Sequence, residues 1–152
     1  MLVSTMMRVL VLGIVLVATA AGAAEDLVKT LGMMENQFFV DWQKKRLESF
    51  RVNIGEDGLA WSGYGVFDKK TQIELQTAAE ASCVVTGFEL SDLRVSRPDK
   101  NTAIIIYNVR QEAACGGALV PSPLTNASVY IKRKGKWVNV FRASQPLAVA
   151  PK

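Results

Sequence analysis

The side chains that could move a proton in this sequence are few, and the commonest of them is missing, because the chain contains no histidine. A serine nucleophile therefore has no imidazole to take its proton. Two distant cysteines without histidine do not make a metal site, and no glycine-rich segment has the spacing that cradles phosphate. No cofactor is implied. A carboxylate base paired with a tyrosine that donates to a developing enolate could still be assembled, and Asp41, Asp92, Tyr64 and Tyr107 are the available parts. The plainer reading is that Asp41 is a solvated helix residue and Asp92 a strand-edge or bulge residue, since most surface carboxylates do no chemistry. No catalytic residue is assigned. Trp42 and Tyr107 read as core aromatics that can also line a pocket, and Tyr64 is grouped with them as a lining candidate.

Arginine offers binding instead of proton transfer. Trp42, Arg46 and Phe50 recur every four residues, so on one continuous helix they share a face, and the aromatic neighbours turn that face toward the core. A guanidinium cannot act as a base near neutral pH, but it grips carboxylate or phosphate through paired hydrogen bonds. The alternative is that Arg46 reaches solvent or pairs with Glu35, Asp41, Asp57 or Asp92.

Cys83 and Cys115 are an even pair. Asp99 lies midway between them in a turn-like Arg97-Pro98-Asp99-Lys100-Asn101 segment, so a hairpin centred there sets the two cysteines opposite each other. A bulge near Ser91-Asp92, where the apolar phase shifts from Phe88 and Leu90 to Leu93 and Val95, would displace that match by one. Either they form a structural disulfide or they are two buried thiols. There is no Cys-x-x-Cys spacing for a redox role.

The elements that must position these residues can be read from periodicity. Arg8, an apolar run from Val9 to Val17 and the small residues Ala18 to Ala24 have the order of a signal peptide, so residues 1–24 are read as cleaved and the mature chain as periplasmic or secreted. The run is short of the roughly 20 residues of a membrane span, so no stable anchor is expected after cleavage. About 128 residues remain, enough for one core, read as a single domain over 25–148 with a flexible tail over 149–152. Apolar residues from Leu27 to Ile54 recur at steps of three to five, which predicts a long first helix, kinked or not, stopped by the glycines at 55 and 58. Asp68 caps a second, short helix through Ile73 and Leu75. From Cys83 the period becomes two, and glycine or proline turns divide a run of hairpins.

Helices followed by hairpins predict an α+β fold with N-terminal helices on one face of an antiparallel sheet. The four apolar residues Ile104 to Tyr107 place large side chains on both faces of one strand, and a second copy of the sheet is the expected cover for the outer one. The formal net charge is +4, dispersed except at Lys132-Arg133-Lys134 and Lys136, which read as a hairpin tip. A nucleic-acid stripe with interleaved aromatics is not present, so no nucleic-acid partner is expected.

Over roughly Glu35 to Leu147 the chain resembles the SnoaL-like members of the nuclear transport factor 2-like superfamily, relatives of ketosteroid isomerases. The points of similarity are Trp42-Gln43-Lys44-Lys45 on a first helix ending near Phe50, the Asp68-Lys69-Lys70 segment, and Leu90 to Val95 preceding Ala103 to Tyr107. Gly135-Lys136-Trp137-Val138-Asn139-Val140-Phe141 then closes the domain before Ser144-Gln145-Pro146. The resemblance implies a curved antiparallel sheet and helices enclosing a conical pocket, a cystatin-like α+β roll, commonly as a homodimer. Similar sequences often carry an acid on the first helix and a histidine after the closing strand; here Arg46 and Arg142 stand there, with Ala143 next. The resemblance places Arg142 at the rim or lining of the cone. With the acid–base groups replaced, it implies a small ligand-binding or interaction domain, its pocket drawn from Trp42, Arg46, Tyr64, Tyr107 and Arg142. The ligand would be a small anionic or organic molecule. The alternative is a pocket enzyme of isomerase or cyclase type.

Overall fold

A computed structural model describes residues 15–147 of the chain, with the side chains of 15–23 and 79–81 left aside. The expected basic start and first part of the apolar run fall outside it, as does the 149–152 tail. The residues expected at the cleavage site lie within the first helix, α1 (Val15–Gln43). Among the described residues no helix is long and apolar enough to cross a membrane.

The first helix ends at Gln43, well before the stop expected at the glycines 55 and 58. Lys45 turns left-handed at φ 55°, its N–H bonds to the Trp42 carbonyl, and the Arg46 N–H reaches the Asp41 carbonyl at 2.7 Å. That pair of bonds is the Schellman closure, which usually carries glycine at the left-handed position. A lysine there leaves no mark in the sequence. A separate helix, α2 (Glu48–Asn53), follows, and strand β1 (Ile54–Ser62) begins at once, running through the glycines expected as a stop. Next come β2 (Gly65–Asp68) and α3 (Lys69–Ser82), the latter longer than expected. Asp68 caps α3 as foreseen, its carboxylate accepting the Thr71 N–H at 2.8 Å.

The remaining strands are β3 (Cys83–Asp99), β4 (Thr102–Cys115), the short β5 (Ala118–Leu119), β6 (Leu124–Arg133) and β7 (Lys136–Pro146). They order as β2-β1-β7-β6-β4-β3, with β5 beside β4. The sheet is mixed, not wholly antiparallel, because β1 runs parallel to β7. Hairpin signals report only strands adjacent in the chain, and β1 finds its partner at the far end of the domain.

Cys83 and Cys115 are opposite residues and are bonded. The route to that pairing differs from the expected one. The β3–β4 turn lies at Lys100-Asn101, and three one-residue shifts of register, at Val85/Gly87, Ser91/Arg94 and Ser96/Asp99, restore the match at the cysteines. Asp92 stands in the middle one at φ 55°. Such bulges bend and twist a strand.

Ala103, Ile105, Tyr107 and Val109 of β4 are sealed against α1, where Leu27 and Leu31 meet them, with Tyr130 of β6 in the same core. Phe38, Phe50 and Ile54 make a second core, its two phenyl rings edge to face at 5.0 Å. The opposite face is apolar too. Ile104, Val129, Phe141 and Leu59 stand in register across four strands, as do Ile106, Ala127, Ala143 and Trp61. Ile106, Trp61, Leu59 and Phe141 on that face are exposed.

Candidate functional site

The most concentrated chemistry in the molecule surrounds a residue that composition gave no reason to single out. Glu35 follows Leu27 and Leu31 along the buried stripe of α1, at a position where helical spacing calls for an apolar side chain, and it is fully buried. A buried carboxylate needs partners, and three arrive from the sheet. The Tyr107 hydroxyl of β4 donates to Oε2 at 2.7 Å, the Tyr130 hydroxyl of β6 to Oε1 at 2.6 Å, and Arg142 Nη2 of β7 to Oε2 at 2.8 Å. Asn126 Nδ2 in turn donates to the Tyr107 oxygen at 3.2 Å.

Strand alternation explains the convergence. Tyr107 pairs with Asn126 across β4 and β6, Tyr130 with Asn139 and Ser128 with Arg142 across β6 and β7, so all six project to the inner face. The guanidinium of Arg142 also lies over the Phe38 ring, 3.9 Å from its centre. Burial works to lower its pKa, but the Glu35 charge and hydrogen bond outweigh that and hold Arg142 firmly cationic. Both phenols are pushed well above the usual tyrosine range, first by burial and then by the neighbouring Glu35 charge. They remain donors. Around this network Asn126 Oδ1, Ser128 Oγ, Asn139 Nδ2 and Arg142 Nε are buried without a hydrogen-bond partner in the protein.

Of the five side chains expected to line a pocket, the structure brings together two, Tyr107 and Arg142. Arg46 stands apart from them. With α1 closed at Gln43, Trp42, Arg46 and Phe50 do not share one helix face, and Arg46 instead pairs with Asp41 at 3.4 Å with its side chain 52% exposed. It borders a surface hollow of about 270 Å³ with Gln37, Asp41, Ser49 and Val52. The converging pair of arginines is therefore not formed. Trp42 is half-buried, and Tyr64 sits 88% exposed between β1 and β2. The candidate base Asp41 is itself occupied. Although its burial acts to raise its pKa, the Ser49 N–H at 2.8 Å, with Gln37 and Arg46, holds it below the usual carboxylate range. That N–H belongs to the first turn of α2, whose own N-cap residue Leu47 has no capping side chain. Asp92 is exposed and accepts a hydrogen bond from Asn108 at 3.0 Å.

No protein-family model matches the chain, and no curated protein sequence matches it. Solved structures do. A nuclear transport factor 2-like protein from Cytophaga hutchinsonii superposes with a TM-score of 0.69 at 16% identity, covering 78% of this chain and 97% of the other. One from Rhodospirillum rubrum, described as of unknown function in nutrient uptake, gives 0.68 at 15% identity over 78% and 98%. A ketosteroid isomerase-like protein from Erwinia carotovora atroseptica gives 0.66 at 9% identity over 80% and 97%. At such identities the likeness speaks for the fold alone, and it is the nuclear transport factor 2-like fold foreseen from the sequence.

Proposed function

We propose that this chain is an exported small-molecule-binding domain whose ligand lies within the cone against Asn126, Ser128, Asn139 and Arg142. The observation that carries this reading is the spare hydrogen-bonding capacity of that inner face. Four buried polar atoms there have no protein partner, and an unsatisfied buried donor or acceptor costs about 1 to 3 kcal/mol, so a molecule that pairs with them binds favourably. Because the Glu35 carboxylate already balances the Arg142 charge, the ligand is a small neutral organic molecule carrying both donors and acceptors, in preference to an anion. Export is supported by the N-terminal apolar run and by the disulfide, which persists in oxidising compartments. The apolar outer face supports a homodimer packed sheet against sheet, since a two-fold axis would cover Ile106, Trp61 and Phe141 with the same face of a second copy.

Native mass spectrometry of the purified protein tests the binding reading. The expected result is one small molecule per chain, lost in Ser128→Leu. A chain that carries nothing, and whose melting temperature no small neutral compound raises, would sink it.

A second reading is favoured by one observation, the convergence of a carboxylate and two phenols at 2.7 and 2.6 Å. In an isomerase-type enzyme Glu35 would take the proton and a tyrosine would stabilise the enolate. It ranks second because Glu35 is committed to three donors, Arg142 among them, and each must give way before the carboxylate could act as a base. Deuterium exchange from solvent into a bound carbonyl compound, abolished by Glu35→Gln, would raise it to first.

A further inference from the structure

Outside the cone, charge is distributed very unevenly. The β3–β4 turn and the β6–β7 turn lie side by side, joined where the Lys132 N–H donates to the Asn101 carbonyl at 2.7 Å. Arg97 and Lys100 stand on one tip, and Lys132, Arg133, Lys134 and Lys136 on the other, all exposed. The tight β6–β7 turn keeps them close together, with Lys134 and Gly135 both at positive φ, 50° and 80°. The acids nearby are Asp99, the last residue of β3, and Asp57, which holds Arg133 at 2.7 and 2.6 Å. Six basic and two acidic residues thus account for the whole net charge of +4, and the rest of the chain carries twelve of each.

We propose that these two adjoining tips dock the protein on an anionic phospholipid surface. The basic side chains are exposed on two adjoining hairpin tips, an arrangement that suits an extended charged plane better than one enclosed ligand. Trp137 lies half-buried beneath Lys132, whose ammonium is 5.6 Å from the ring centre. Duplex or single-stranded nucleic acid is the weaker match, because Trp137 is covered and no aromatic interleaves the basic residues in the open.

Co-sedimentation of the full chain with phosphatidylcholine vesicles, with and without phosphatidylglycerol, tests the assignment. The signal is the surplus bound to the phosphatidylglycerol vesicles, because the N-terminal apolar run acts on both kinds. That surplus should fall roughly five-fold for each lysine removed and vanish in high salt. Lys132→Glu/Lys134→Glu/Lys136→Glu should abolish it with the melting temperature held. Lys100→Glu/Lys134→Glu, one change on each tip, guards against a folding defect in the triple variant. No surplus at low salt, a surplus that survives both variants, or heparin or DNA binding that persists in salt that strips the vesicles would each overturn the proposal.

Discussion

Two arginine–carboxylate pairs hang from the same helix, at Glu35 and Asp41, and they do different work. At Glu35 and Arg142 both side chains are withdrawn from water, 0% and 17% exposed, and the carboxylate joins α1 to three strands at once. At Asp41 and Arg46 the carboxylate is equally hidden, but the arginine is 52% exposed and 3.4 Å away. Its more useful partner is the Ser49 N–H, so Asp41 serves as the cap that Leu47 cannot provide. The value of a carboxylate here follows from which donors would be stranded without it. The arginine is indispensable in the first pair and incidental in the second.

The largest effect should come from breaking the inner pair on one side only. Glu35→Leu leaves the Arg142 charge buried and unpaired, and unfolding titrations should register a loss of about 3 to 5 kcal/mol. Removing both partners, as Glu35→Leu/Arg142→Met, should recover most of that loss; if the double variant is as unstable as the single, the charge-pair account is wrong. Alkali attacks the same cluster. Because the folded pKa of both phenols is raised, their contribution is intact below the ordinary tyrosine value near 10 and is lost as pH rises toward the folded value. The melting temperature should therefore decline above about pH 10, more steeply than in Tyr107→Phe/Tyr130→Phe.

At the outer pair the expected changes are smaller. Asp41→Ala removes a cap and should cost about 1 kcal/mol. The sign of its pH dependence is the reverse of the tyrosines. Its folded pKa is depressed, so the stabilisation is full above the unfolded value near 3.9 and is lost as pH falls through the folded one. Asp41→Asn should flatten that acid limb. Arg46→Ala, measured the same way, should change stability by about 0 to 1 kcal/mol, with the effect fading in salt. A large loss from Arg46→Ala would erase the distinction between the two pairs.

The sequence revealed these regions unevenly, and for physical reasons. Strand periodicity exposed β3, β4, β6 and β7, most plainly in β4 and β6, where buried residues alternate with more open ones, and Asp68 announced its helix through its side chain. The end of α1 was hidden, since Lys45 occupies a conformation that sequence marks only when glycine holds it. Glu35 was legible in principle. An acid in register with Leu27, Leu31 and Phe38 contradicts an apolar stripe, and such a contradiction is what a buried polar network looks like before folding. Tyr107 and Arg142 could be named but not joined, because three strands must pair before they meet.

The three bulges of β3 have a mechanical meaning. Seventeen residues of β3 lie against fourteen of β4, which gives the edge strand about 10 Å more contour than its neighbour. Two strips of unequal length fastened at both ends have to arch, as a bimetal strip does. The turn at Lys100-Asn101 fastens one end of this ribbon and the Cys83–Cys115 bond fastens the other. The arch over α1 is thus clamped covalently, and reducing that bond would leave the longer strip free to slide and flatten.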